Sequence, residues 1–171
     1  MSVRVAQVAD AEGIATVHVA SWQAAYRGLL PEQFLQNLSV ERRTQGWKAS
    51  LVQGFESVYV YEEGRNIVGF VSCGPTRDDD VDREHVGEVY AIYLAPSVWN
   101  KRYGAALLNV ALDTLRNQGF VSVSLWVLHT NQRAIQFYER AEFQADGATK
   151  VDTRPGGVVL KEIRYRRSLT Q

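Results

Sequence analysis

The chain has 171 residues, 46% of them hydrophobic, which is enough to bury the core of one domain without disulfides or metals. Its 19 Lys and Arg residues balance 19 Asp and Glu residues, so the chain lacks the strong positive charge of a simple nucleic-acid-binding protein. The single Cys73 excludes an internal disulfide, and His18, His85 and His129 do not have the spacing of metal ligands.

The first 54 residues predict a strand followed by helices. Residues 2–7 alternate polar and apolar side chains, and apolar residues then recur at three- and four-residue steps up to Tyr26. Pro31 and Ser39 are residue types that commonly begin helices, and Gly54 is one that commonly ends them. This part of the chain is therefore predicted to be one strand and then helical segments.

Beyond residue 54 the sequence predicts strands interrupted by two helices. Alternating β-branched and aromatic residues indicate the strands, and an apolar stripe at helical spacing indicates each helix. The predicted strands cover residues 57–61, 67–73, 85–94, 120–128, 143–151 and 158–166, and the predicted helices cover residues 103–117 and 131–141. This order describes a mixed α/β sheet in which residues 88–127 form a parallel strand–helix–strand unit.

The turn before the helix at 103–117 has the composition of a phosphate-binding loop. Asn100, Lys101, Arg102 and Gly104 stand directly before the apolar face of that helix. The first helical turn leaves backbone N–H groups unpaired at the positive end of the dipole, and Gly104 and Ala105 let a ligand approach them. A pyrophosphate would fit there, with Lys101 and Arg102 adding charge. A solvated loop that carries two cations is the alternative.

A second group of residues follows the strand at 120–128 and comprises Asn131, Arg133, Ala134, Phe137, Tyr138, Glu139 and Phe143. By spacing alone, Asn131 is a helix cap and the apolar members form an ordinary core stripe. The order of the two groups, each in a strand–turn–helix context, is more specific than either group by itself.

Together the two segments resemble the acyl-CoA-binding core of the GNAT superfamily of N-acetyltransferases. The family pattern Q/R-x-x-G-x-G/A is similar to residues 99–104, and N-x-R-A-x-x-F-Y-E-x-x-G-F is similar to residues 131–143. The opening helix and the basic end of the chain resemble one bacterial branch of the superfamily. The resemblance implies a mixed, mostly antiparallel sheet with helices on both faces and a central parallel pair that splays apart for acyl-CoA.

Three positions depart from the family pattern. Trp99 stands for Gln or Arg, and Arg102 and Glu142 stand where the pattern has glycine. In an alternative alignment the pattern is shifted by two residues, so that Lys101, Gly104 and Ala106 match it as K-x-x-G-x-A. In the first alignment the turn at Arg102 must either take an ordinary conformation or accept strain, because Arg lacks the freedom of glycine at positive φ.

The resemblance implies a binding mode for acetyl-CoA as co-substrate, with no metal. The pantetheine arm would lie between the strands at 88–94 and 121–128, and an N–H near Tyr93 would be the oxyanion donor. The residues that would contact the coenzyme are Ile92, Tyr93, Leu94, Trp99, Asn100, Lys101, Arg102, Tyr103, Gly104, Ala105, Asn131 and Tyr138.

The implied reaction is direct attack of a primary amine, of a small molecule or a peptide, on the thioester. Tyr138 matches the family tyrosine that protonates the departing thiolate, and a phenol is still protonated at neutral pH. Glu88 would act as general base through a water, since an ammonium group must lose a proton before it attacks. His85 and Tyr90 are the alternative bases. A non-catalytic acyl-CoA sensor of the same fold is the alternative function.

The acceptor side is indicated by composition alone. Residues 78–84 carry five acids and would attract a cationic amine, although a solvated loop explains them equally well. An apolar acceptor pocket would be lined by the aromatic residues Trp22, Tyr26, Tyr90 and Trp126. The strand at 158–166 is predicted to lie at the sheet edge, where it would pair with a partner, so a homodimer is an expectation.

Location and domain count follow from the hydrophobic pattern. No apolar run approaches the roughly 18 residues that span a bilayer, and the N-terminus lacks a secretory apolar region. The chain contains no repeat, and its four prolines mark no linker. We therefore expect one acyltransferase domain over residues 1–171, in the cytoplasm, without nucleic-acid or membrane partners.

Overall fold

The computed structural model describes residues 2–170, which contain seven strands and five α-helices. The strands are β1 (Ser2–Val5), β2 (Ser57–Glu63), β3 (Asn66–Pro75), β4 (Val86–Leu94), β5 (Ser122–Leu128), β6 (Gln144–Arg154) and β7 (Val158–Ser168). The helices are α1 (Ala11–Ala25), α2 (Glu32–Gln36), α3 (Val40–Gln53), α4 (Tyr103–Asn117) and α5 (Gln132–Arg140). The predicted order of elements is confirmed, with bounds that shift by a few residues.

The seven strands of the described region form one sheet in the order β1-β2-β3-β4-β5-β7-β6. All neighbours are antiparallel except β4 and β5, which are parallel. The predicted mixed, mostly antiparallel sheet with a central parallel pair is therefore confirmed.

The prediction that residues 158–166 form an edge strand is wrong. The strand β7 lies between β5 and β6, and β6 is the outer strand. Burial gives the physical reason, because Leu160 and Tyr165 of β7 are buried whereas most side chains of β6 are exposed. Only β7 has the apolar side chains that an interior position requires.

Helices cover both faces of the sheet, as the resemblance implied. Apolar residues of α4, among them Leu107 and Leu115, pack with Val71 and Val89 of the sheet, and α5 joins this cluster through Ile135. On the opposite face, Ile14 and Val17 of α1 pack against Val58, Val60 and Phe70, with Trp47 of α3 beside them. The alternation of side chains along each strand supplies one apolar row to each helical layer.

The two parallel strands separate soon after they meet. Registered pairs join β4 to β5 only from Val86↔Ser122 to Glu88↔Ser124, and β4 then continues along β3 while β5 continues along β7. Next to this point the β3–β4 register shifts, leaving Tyr90 as an extra residue of β4. Such a bulge bends a strand. The splayed parallel pair is thus built into the sheet by a bulge.

The surroundings of Cys73, the helix lengths and the arrangement of metal-ligating side chains can be read from the structure. Cys73 is buried against α4, and burial raises the pKa of its thiol to about 12, which suits a small core residue rather than a nucleophile. Across residues 2–170, no helix has both the length and the apolar content to cross a membrane. The same residues contain no group of three His, Cys, Asp or Glu side chains placed to bind a metal.

Candidate active site

Two cavities open where β4 and β5 part. A cleft of ≈ 750 Å³ lies between the C-terminal half of β4, the start of α4 and α5. A smaller cavity lies between β4, β5, α1 and β7. The residues that line both are Ile92, Tyr93, Asn131 and Tyr138. The two cavities therefore meet at a small set of side chains from β4 and α5.

The larger cleft collects most of the residues predicted to bind the coenzyme. Those that line it are Ile92, Tyr93, Leu94, Trp99, Asn100, Arg102, Gly104, Ala105, Asn131 and Tyr138. Lys101 and Tyr103 do not line it. The Lys101 ammonium lies 3.6 Å from a carboxylate oxygen of Glu63, and the Tyr103 hydroxyl donates to the same residue at 2.8 Å. These two side chains instead fasten the loop to β2.

The loop before α4 has an unusual backbone at two positions. Asn100 has φ 69° and Arg102 has φ 62°, both in the left-handed region that favours glycine. Arg102 thus accepts the strain that its replacement of the pattern glycine implied, which supports the first alignment. Beyond it, the amides of Gly104 and Ala105 precede the first hydrogen bond of the helix, from Ala106 N–H to Arg102 O. They are the orphan donors expected at a helix start.

The larger cleft is electropositive. Arg102, Arg133 and Arg140 line it, and no acidic side chain of the described residues does. The Arg133 guanidinium lies over the Trp99 ring at 3.7 Å, and the Trp99 indole N–H donates to the Leu94 carbonyl at 3.0 Å. This stack holds one wall of the cleft in place, and the charge favours an anionic ligand.

Tyr138 lies at the junction of the two cavities. Its ring is 8% exposed and packs against Phe137 and Phe143. Burial raises the pKa of the Tyr138 phenol, and the neighbouring Tyr93 adds to the effect. The phenol therefore keeps its proton at neutral pH. Asn131 accepts a hydrogen bond from the Ala134 N–H at 3.2 Å and caps α5, so it both caps and lines the cavities.

The smaller cavity contains the four aromatic residues predicted for an acceptor pocket, namely Trp22, Tyr26, Tyr90 and Trp126. Among the lining residues that the sequence analysis missed are Leu160 and Glu162 of β7. Leu160 and Glu162 are two residues apart on a strand, so the sequence indicates that their side chains lie on the same face of the sheet. It does not indicate whether that face lines the cavity, because this depends on the position of β7 in the sheet.

Glu88, the predicted general base, is buried beside the site where the parallel strands part. It is the last β4 residue registered with β5, it is only 2% exposed, and it does not line either cavity. One of its carboxylate oxygens accepts from the Arg77 backbone N–H and the other from the Arg77 guanidinium, each at 2.8 Å. The carboxylate is thus held at the point of divergence by a single partner residue.

The two alternative bases, His85 and Tyr90, also have hydrogen-bond partners within the protein. The exposed His85 ring contacts a carboxylate oxygen of Asp82 at 2.6 Å. The Tyr90 hydroxyl donates to the Pro75 carbonyl, and burial raises the pKa of this phenol to about 12. Tyr90 is therefore protonated at neutral pH and a weak base.

The acidic loop at 78–84 does not present a free acidic rim. Asp78 and Asp80 bind the buried Arg164 guanidinium, and Asp79 is paired with Arg83. Asp78 also accepts from the Trp126 indole N–H at 3.1 Å. Most of the charge on which the acceptor prediction relied is neutralised within the protein, because these carboxylates bind neighbouring cations.

Comparison with known proteins decides the family. The family model described as the acetyltransferase (GNAT) family matches residues 19–143. The chain belongs to the GNAT family of acetyltransferases. It is 32% identical, over 95% of its length and 90% of the relative's, to a Bacillus subtilis (strain 168) protein named uncharacterized N-acetyltransferase YuaI.

Solved GNAT-like structures share the fold. YncA of Salmonella typhimurium, solved with its cofactor acetyl-CoA, superposes with TM-score 0.73 at 21% identity and covers all of this chain and 95% of its own. The PaiA N-acetyltransferase of Thermoplasma acidophilum, in complex with coenzyme A, gives TM-score 0.70 at 19% identity over 98% of this chain and 99% of its own.

Glu142, the second residue of this GNAT chain that stands at a pattern glycine, also has a left-handed backbone, with φ 66°. Arg102 and Glu142 therefore both adopt the conformation that favours glycine. For a residue with a side chain this conformation costs about 1–2 kcal/mol.

Proposed function

We propose that this acetyltransferase uses acetyl-CoA and transfers the acetyl group to a primary amine of a small molecule or peptide by direct attack. The observation that carries the proposal is the meeting of two cavities at Tyr93 and Tyr138. One cavity is large and electropositive, as an anionic coenzyme requires, and the other is walled by aromatic residues. A donor and an acceptor that enter from opposite sides would meet at these phenols.

The coenzyme is proposed to lie in the larger cleft. Beyond Glu88 the edge of β4 that faces the cleft has lost β5 as a hydrogen-bonding partner, which leaves the backbone of Ile92, Tyr93 and Leu94 to hold an extended arm. The N-terminal amides of α4 and the Arg102 guanidinium would bind the diphosphate. Lys101 and Tyr103 support this loop through Glu63 and are proposed to act from outside the contact surface.

The chemistry requires that the acceptor nitrogen lose two protons and that the sulfur gain one. Before the attack, the ammonium group gives one proton through a water to Glu88, which passes it to solvent. The nitrogen then forms a bond to the thioester carbon, the carbon–sulfur bond breaks, and Tyr138 donates its proton to the departing sulfur. An N–H near Tyr93 stabilises the oxyanion while both bonds are partial. The second proton of the nitrogen leaves to solvent, from which Tyr138 regains a proton. Arg77 donates a hydrogen bond to each Glu88 oxygen, so the proposed role of Arg77 is to position that carboxylate.

The test is a panel of primary amines with acetyl-CoA, in which release of free thiol is measured. We expect saturable release with at least one amine, and binding of acetyl-CoA in calorimetry. Binding of acetyl-CoA without thiol release across the panel would instead support an acyl-CoA sensor. Absence of both would contradict the proposal, provided that circular dichroism shows a folded protein.

A further inference from the structure

Glu162 is the one carboxylate among the described residues that line the smaller cavity. It lies on β7 in register with Leu128, beyond the point where β5 has left β4, and Leu160 of the same strand lines the cavity beside it. Tyr93 is one of the phenols where the two cavities meet, and burial raises its pKa, with the nearby Glu162 charge acting in the same direction. The carboxylate therefore stands near the proposed site of acetyl transfer.

The charge of Glu162 is only weakly compensated. Its partner is the Lys150 ammonium, 3.6 Å away, and the two side chains are 24% and 43% exposed. A partly exposed ion pair of this kind contributes only about 0.2–1 kcal/mol, so another cation can replace Lys150. Glu88, by contrast, has both oxygens bound to Arg77. Among these carboxylates, Glu162 is the one with capacity for a ligand.

The walls around Glu162 also suit a cation. The Lys150 ammonium already lies 4.3 Å from the centre of the Trp126 ring, which shows that this aromatic face accepts a positive charge. The buried indole N–H of Trp22 lies near the Tyr93 hydroxyl but makes no hydrogen bond of good geometry within the described residues. A ligand oxygen close to its ammonium group would satisfy this donor.

We propose that Glu162 binds the ammonium group of the acceptor, displacing Lys150, and that the acceptor is a cationic primary amine without a neighbouring carboxylate. An amino-acid amide or a peptide N-terminus has this chemistry, with a carbonyl oxygen for Trp22. The inference rests on the proposed function, because it names the acceptor class of that site. Glu162 is a specificity-determining residue, while Glu88 and Tyr138 move protons.

The kinetic test compares leucinamide with leucine as acceptors, with acetyl-CoA held saturating. Because the two amines differ in pKa, kcat/KM is compared per concentration of neutral amine. On this scale we expect the wild type to prefer leucinamide by about tenfold, since the leucine carboxylate is repelled by Glu162. Glu162→Gln should raise the KM for leucinamide at least about tenfold, the loss expected for a hydrogen bond to a charged group, and leave the KM for acetyl-CoA within twofold. It should also remove the preference over leucine.

Two further variants sharpen the result. Lys150→Gln removes the competing ammonium, so the KM for leucinamide should fall a few-fold. Glu142→Gln removes an equal charge from a side chain that is 78% exposed and lines neither cavity, and it should leave both KM values as in the wild type. An unchanged leucinamide KM in Glu162→Gln, or a wild-type preference for leucine, overturns the inference.

A binding measurement separates this inference from the proposed function. Trp22 and Trp126 line the smaller cavity, so leucinamide should quench tryptophan fluorescence of the CoA-saturated protein in a saturable way. If no amine gives thiol release, the proposed reaction is wrong, and the fluorescence titration still tests whether Glu162 binds an ammonium group. Quenching in the wild type that is lost in Glu162→Gln supports the ammonium site, and equal titrations in both, or none in either, contradict it.

Discussion

Glu88 and Ser124 form the last registered pair between the two parallel strands, and directly beyond them the sheet opens. The bulge at Tyr90 follows within two residues, so the bend in β4 begins where its pairing with β5 ends. A carboxylate is therefore buried at the apex of the opening, with Arg77 as its partner.

Replacing Tyr138 by Phe removes the proposed proton donor and keeps the ring that packs against Phe143. We expect kcat to fall by about 10²-fold or more, the usual contribution of a general acid, because the thiolate would leave unprotonated. The dissociation constant of acetyl-CoA, measured by calorimetry, should stay within a few-fold of the wild type. Tyr61→Phe is the matched control, since its ring stacks on Tyr103 outside both cavities. A normal kcat in Tyr138→Phe would remove this residue from the mechanism.

Replacing Glu88 by Gln tests the base at the apex. The amide still accepts one hydrogen bond from Arg77 but loses the charge, so the free energy of unfolding should fall by about 1–3 kcal/mol. We expect kcat to fall by about 10²-fold or more, because the amide cannot accept the proton of the amine. Arg77→Gln should also lower stability but cause a smaller loss of kcat, since the carboxylate remains. An unchanged kcat in Glu88→Gln would assign the base elsewhere.

Glu142 adopts a left-handed backbone, with φ 66°, and its side chain is 78% exposed beside Arg167. Glu142→Gly and Glu142→Ala both remove this surface ion pair, but only glycine takes the left-handed conformation without steric cost. We expect the glycine variant to be more stable than the alanine variant by about 1 kcal/mol in urea unfolding. Equal stabilities would show that the turn relaxes around alanine.

His18 makes stability depend on pH. Burial lowers the pKa of its imidazole to about 3, with the nearby Arg43 as a second cause. In the unfolded chain its pKa is near 6.5, so between these values the unfolded state binds one more proton than the folded state. The free energy of unfolding should therefore fall as the pH drops from 6.5, by about 1.4 kcal/mol per pH unit from this group.

Urea unfolding at several pH values between 4 and 7 measures this dependence. His18→Phe fits the surrounding aromatic cluster and does not titrate, so its stability should fall less steeply with acid than that of the wild type. His129→Phe is the control, because His129 is exposed. Parallel curves for the wild type and His18→Phe would contradict the assigned pKa.

Much of the fold could be predicted because its signals are local. The apolar stripe of α4, the hairpin of β2 and β3, and the cap at Asn131 each depend on residues a few positions apart. The position of β7 could not be predicted, since sequence order does not state which strand inserts beside β5. The partners of the acidic loop were equally hidden, because Arg164 and Asp78 are 86 residues apart.

The sequence by itself determined the order of elements and the resemblance to the family, because local spacing and short motifs carry that information. Only the tertiary structure decided where the parallel strands part, that Arg77 binds the Glu88 carboxylate, and that Glu162 lines the smaller cavity. The physical reason is that charge compensation and cavity lining are set by contacts between distant segments. A side chain's role there depends on which neighbours the sheet brings within a few ångströms.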